Sequence, residues 1–152
     1  MNDGLFEPLA AKHAALGDAE FDRLLVAAYE RAGRTLDDLA YTPEFEALYG
    51  AVAGGSAGAA PTRRDVLHRL QNLRKAGKLP RLGRGASEPV KVLDEDEQTL
   101  ARLVIDAVGT LGQRDRLLYD PRFDAIVQQF NARTGRSLEP HDVWRLVARL
   151  AK

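Results

Sequence analysis

The sequence predicts a mainly α fold: two tandem, duplicated three-helix units, the first completed by a small two-stranded β element. Three observations predict it. The stretch "YTPEFEALY" at 41–49 returns as "YDPRFDAIV" at 119–127, 78 residues later. Apolar residues recur at helical rather than alternating spacing in both halves of the chain. The chain of 152 residues, 45% apolar and 29% charged, suits one ordinary domain or two very small ones and is too apolar to stay disordered.

The repeat extends in both directions. Upstream, Phe21, Leu24, Leu25, Ala28, Tyr29 and Ala32 match Leu100, Leu103, Val104, Ala107, Val108 and Leu111 at an offset of 79. Downstream, Asp65, Val66, Leu67, Leu70 and Leu73 match Asp142, Val143, Trp144, Val147 and Leu150 at an offset of 77. Two copies are too few for a solenoid. The expected organisation is therefore an N-terminal arm (1–18), a first unit with its β element (19–93), and a second unit without one (94–152).

Each unit reads as three helices. The first spans about 19–32, where apolar residues at i, i+3, i+4, i+7, i+8 and i+11 form one stripe. Its counterpart spans about 96–109, and the acids of "DEDE" (94–97) suit a helix N-terminus. The second helix starts at Thr42-Pro43 and at Asp120-Pro121, a capping side chain followed by proline in the first turn. Phe45, Leu48, Tyr49 and Val52 line its buried face, as do Phe123, Ile126, Val127 and Phe130. The third helix runs from about 63 to 76, capped by Thr62 with Asp65 three residues on and stopped at Gly77. In the second copy it starts near Glu139-Pro140 and continues to the chain end. Strand-like pattern is confined to 78–82 and 88–93.

The chain has no net charge, but its charges are unevenly distributed. Residues 1–60 carry 4 basic and 10 acidic side chains, residues 61–91 carry 9 and 2, and residues 92–152 carry 9 and 10. Such asymmetry speaks to partners rather than to fold. In the basic stretch "RRDVLHRLQNLRKAGKLPRLGRG" (63–85), turning Val66, Leu70 and Leu73 inward places Arg64, His68, Gln71, Asn72 and Lys75 on one outward face. Arg63 and Lys78 flank that face. The second copy sets His141, Arg145, Arg149 and Lys152 in equivalent places. Cations neutralise phosphates, and Arg, Gln and Asn can pair with base edges.

The order helix, helix, basic helix, Gly stop, extended piece, Gly-rich loop with Arg84, extended piece resembles the winged helix-turn-helix superfamily of DNA-binding domains over residues 19–93. The resemblance implies that the third helix enters the major groove and that residues 78–93 form a two-stranded wing. It implies that Arg64, His68, Gln71, Asn72 and Lys75 meet bases and phosphates, and that Arg81 and Arg84 contact phosphates near the wing. No specific family is indicated.

Other chemistry finds little support in the residues. With no cysteine, disulfides, thiol catalysis and thiolate metal sites are all excluded. His13, His68 and His141 lie far apart and form no pair with metal-ligand spacing. The run 54–61, "GGSAGAAP", lacks the Gly-Lys-Ser/Thr of a phosphate cradle and reads as a connector. Trp144 reads as core or as packing between the copies. No secretory signal and no stretch of bilayer-spanning length is seen. The expectation is a cytoplasmic, non-enzymatic protein without cofactors that binds duplex DNA through the third helices of both units, in a transcriptional or DNA-associated role, with a homodimer among the allowed assemblies. The competing expectation is a protein-interaction or self-assembly module that docks its basic segment on an acidic surface.

Overall fold

The computed structural model describes residues 18–54, 60–82 and 88–152. The chain divides into two compact units, Met1–Gly85 and Ala86–Lys152. The fold is mainly α. No helix among the described residues is long and apolar enough to cross a membrane.

In the first unit, α1 (Asp18–Ala32) is followed by a 3₁₀ turn at Leu36–Asp38, then α2 (Pro43–Ala53) and α3 (Arg63–Lys75). α1 stops because Gly33 takes a left-handed conformation, φ +71°, which costs glycine little. α2 starts where the sequence predicts. Its cap, Thr42, accepts a hydrogen bond from the Phe45 N–H (3.0 Å) and donates one to the Leu39 carbonyl (2.6 Å). α3 opens on a reciprocal capping box, Asp65 N–H to the Thr62 hydroxyl at 3.0 Å and Thr62 N–H to Asp65 Oδ2 at 3.1 Å. It closes at Gly77, φ +73°, with the Lys78 N–H bonded back to the Leu73 carbonyl at 2.8 Å. Leu25, Phe45, Leu48, Val52, Val66, Leu67 and Leu70 form the centre of this unit's core, each no more than 2% exposed.

The second unit has the same order of elements: α4 (Asp94–Val108), a 3₁₀ segment at Leu111–Leu117, α5 (Pro121–Thr134) and α6 (Pro140–Leu150). α4 packs on α5, on α6 and on the 3₁₀ segment. Its core joins Leu100, Val104, Leu117, Phe123, Phe130, Val143 and Val147, all fully buried. The Trp144 ring stands edge-on to Phe123, 5.6 Å between centroids, so it belongs to the core of its own unit.

The repeated Tyr-x-Pro block behaves alike in both units. Tyr41 (φ +65°) and Tyr119 (φ +54°) are the two non-glycine residues with positive φ among the described residues. A left-handed non-glycine residue costs roughly 1–2 kcal/mol, so its presence at matching positions marks a turn set by the same local sequence. Thr42 and Asp120, each before a proline, are extended as that position requires. Phe45 and Phe123, two residues past each proline, are both fully buried.

The expected wing is corrected. Neither 78–82 nor 88–93 forms a strand, and Arg84 at its expected tip lies outside the described residues. One physical reason is that Pro80 and Pro89 each remove a ladder donor. A second is that residue 90 is already engaged: the Val90 carbonyl accepts a hydrogen bond from Arg149 Nη1 at 2.9 Å. Residues 88–93 thus lie as a strap on the second unit. His13, the expected arm and most of the 54–61 connector also lie outside the described residues.

Candidate nucleic-acid interface

α3 carries two sets of cations that its geometry keeps apart. Its buried stripe is Val66, Leu67, Leu70 and Leu73. The arginines bordering that stripe reach sideways to acids of the same unit. Arg69 grips Asp22 of α1, Nε to Oδ1 at 2.8 Å and Nη2 to Oδ2 at 2.5 Å. Arg63 holds Glu46 of α2 through Nε (3.0 Å) and Nη2 (2.7 Å). Its guanidinium also lies 4.6 Å from the centre of the Tyr49 ring, whose hydroxyl donates to the Pro61 carbonyl at 2.6 Å. Arg74 approaches Asp37 of the 3₁₀ turn at 3.5 Å. These three arginines fasten α3 to three preceding elements.

The second set faces away from the core. Arg64, His68 and Lys75 are exposed on the outer face of α3, and Gln71 and Asn72 are half-buried beside them. Past the helix end, Lys78 and Arg81 are exposed in non-helical chain. The structure thus brings Arg64, His68, Gln71, Asn72 and Lys75 onto one face, as the spacing predicts, and separates Arg63 from them. Asp65, the one acid within α3, accepts from the Thr62 N–H in the capping box at the helix start. Exposed cations on one helix face can meet an anionic partner at the surface.

The second unit treats its equivalent residues differently. Arg149 is doubly engaged, Nη2 to Glu97 Oε2 at 2.6 Å and Nη1 to the Val90 carbonyl at 2.9 Å. Arg145 approaches Asp142 at 3.6 Å with its side chain 17% exposed. His141 is half-buried, and Lys152 is exposed at the chain end. The α4 acids are the anchors: Asp96, buried, accepts from the Leu93 N–H at 3.2 Å and from Arg136 Nε at 2.8 Å. The turn before α6 is closed by Asn131, whose side-chain amide donates to the Leu138 carbonyl and accepts from the Leu138 N–H, both at 3.0 Å.

One further polar cluster sits at the start of α2. Arg34 lies 2.9 Å from Asp38 and 3.1 Å from Glu44. The Glu44 carboxyl is held below its usual range, first by its own backbone N–H at the helix start, against an opposing effect of burial, and then by Arg34. Burial raises the pKa of Tyr29 in the same unit, outweighing a bond to the Leu36 backbone. Among the described residues, no group of three or more His, Asp or Glu side chains could hold a metal ion.

The sequence reading missed the partners Asp22, Asp37 and Glu46. The signal was present: Arg63, Arg69 and Arg74 each lie beside the apolar stripe rather than opposite it, where a long cation reaches a neighbouring helix. Compared with protein-family models, with curated proteins and with solved structures, the chain matches none.

Proposed function

We propose that the chain is a DNA-binding protein, in a regulatory or DNA-associated role, that engages duplex DNA with the outer face of α3. The observation that carries the reading is the gathering of exposed basic side chains on the outer face of that helix and just past its end. His68, Lys75, Lys78 and Arg81 are exposed together with Arg64 on or just beyond that face, while Arg63, Arg69 and Arg74 beside it reach acids of their own unit. In this reading Lys75, Lys78 and Arg81 neutralise phosphates, and Gln71 and Asn72, beside them, contact base edges. The two units are taken as copies of one ancestral three-helix unit, supported by their shared element order and by the paired left-handed tyrosines.

The test is titration of labelled duplex DNA at several salt concentrations. Binding through phosphates gives an affinity that falls linearly with salt on a log–log plot, with a slope near −0.9 per neutralised phosphate. Absence of duplex binding at low salt would favour docking on an acidic protein surface instead.

A further inference from the structure

We infer that the two basic helices are unequal, and that α3 is the DNA-contacting helix of the chain while α6 is a structural copy whose cations hold its own unit together. This rests on the DNA-binding reading for α3, but its claim about α6 stands on separate contacts. Arg149 corresponds to Asn72 in the repeat and is the outermost arginine of α6. Its two terminal nitrogens are committed to different partners, Glu97 at the start of α4 and the Val90 carbonyl of the preceding strap. Moving that guanidinium onto a phosphate would break a charge-assisted bond and release the strap together. A phosphate contact must repay both losses.

Burial points the same way. α6 buries Val143, Trp144, Leu146, Val147 and Ala148, whereas α3 buries Val66, Leu67, Leu70 and Leu73. At the repeat's offset, Leu146 replaces Arg69 and Ala148 replaces Gln71. Two positions that are polar in α3 have become buried and apolar in α6, so the polar face of α6 is narrower. Arg145, at the place of the exposed His68, has its side chain only 17% exposed. α6 therefore presents a narrower polar face than α3, and both its arginines are engaged within their own unit, Arg149 while its side chain stays 45% exposed.

The experiment uses the full chain with Arg149→Ala, Glu97→Gln and, as the contrasting variant, Lys75→Ala. Each is measured for thermal unfolding and for the salt slope of duplex binding. Arg149→Ala and Glu97→Gln should each lower the melting temperature by roughly 2–4 °C and leave the slope unchanged, while Lys75→Ala should reduce the slope by about one. A fall in slope with Arg149→Ala, or an unchanged melting temperature in both clamp variants, overturns the inference. If the wild-type chain binds no duplex, the proposed function fails on its own, and the melting temperatures still decide whether Arg149 serves its own unit.

Discussion

Arg69 and Asp22 lie 47 positions apart and meet through two parallel contacts, at 2.8 Å and 2.5 Å, that tie α3 to α1. With Arg63–Glu46 and Arg74–Asp37, this pair joins three of the ten acids of residues 1–60 to three of the nine basic residues of 61–91. The acidic segment 1–60 and the basic segment 61–91 neutralise each other in part within one unit. What remains outward on α3 is a smaller, better-defined set of cations than the sequence run suggests.

The Arg69–Asp22 pair should be worth a modest amount, because both side chains are partly solvated. A bidentate surface pair contributes about 0.5–1 kcal/mol. Asp22→Asn should lower the unfolding free energy obtained from urea titration by that amount and leave the salt slope of DNA binding unchanged. A change in slope would mean that Arg69 itself faces the ligand.

Much of this architecture was legible in the sequence, for identifiable reasons. Thr42-Pro43, Asp120-Pro121 and Thr62 with Asp65 are local start signals whose hydrogen bonds close within a few residues, and the helices begin where those signals stand. The outer face of α3 followed from its apolar spacing. The wing was misread because a short extended pattern around Pro80 and Pro89 does not say what the chain will pair with. Arg149, 59 residues downstream of Val90, decides that, and such a contact leaves no local trace. For the same reason the ion partners of Arg63, Arg69 and Arg74 became visible only in the folded unit.

Phe45 and Phe123 are both fully buried at the same place in their helices. Replacing either by Ala should cost about 3–5 kcal/mol, a large share of the stability of a small unit. Regional hydrogen exchange checks this. Phe45→Ala should strip protection from amides of α1–α3, and Phe123→Ala from those of α4–α6. Equal loss across both units with either variant would contradict their treatment as separate cores.

Acid should weaken the first unit partly through Glu44. Its folded carboxyl pKa lies below the ordinary value, so its stabilisation is present above the unfolded pKa and is lost as pH falls through the folded one. Glu44→Gln removes that dependence. Between neutral pH and about pH 3, a range that brackets the ordinary glutamate pKa, the variant should lose less stability than the wild type, read as a shallower fall of the unfolding midpoint. Parallel curves would place the acid sensitivity in other carboxylates.

The last prediction separates holding DNA from reading it. Lys78 and Arg81 are exposed beyond the end of α3, where a cation can follow a phosphate without a defined approach to a base. Replacing either by Ala should weaken binding to all duplexes alike and reduce the log–log salt slope by about one, because one fewer counterion is released. Gln71 and Asn72 are half-buried on the helix itself. A neutral amide displaces no ion, but paired bonds to one base discriminate against others by about 1–3 kcal/mol. Gln71→Ala and Asn72→Ala should therefore keep the slope and flatten the preference among duplexes in a binding selection. A uniform loss from all four variants would mean that the helix holds DNA by charge alone. No loss from any of them would move the interaction to another surface of the chain.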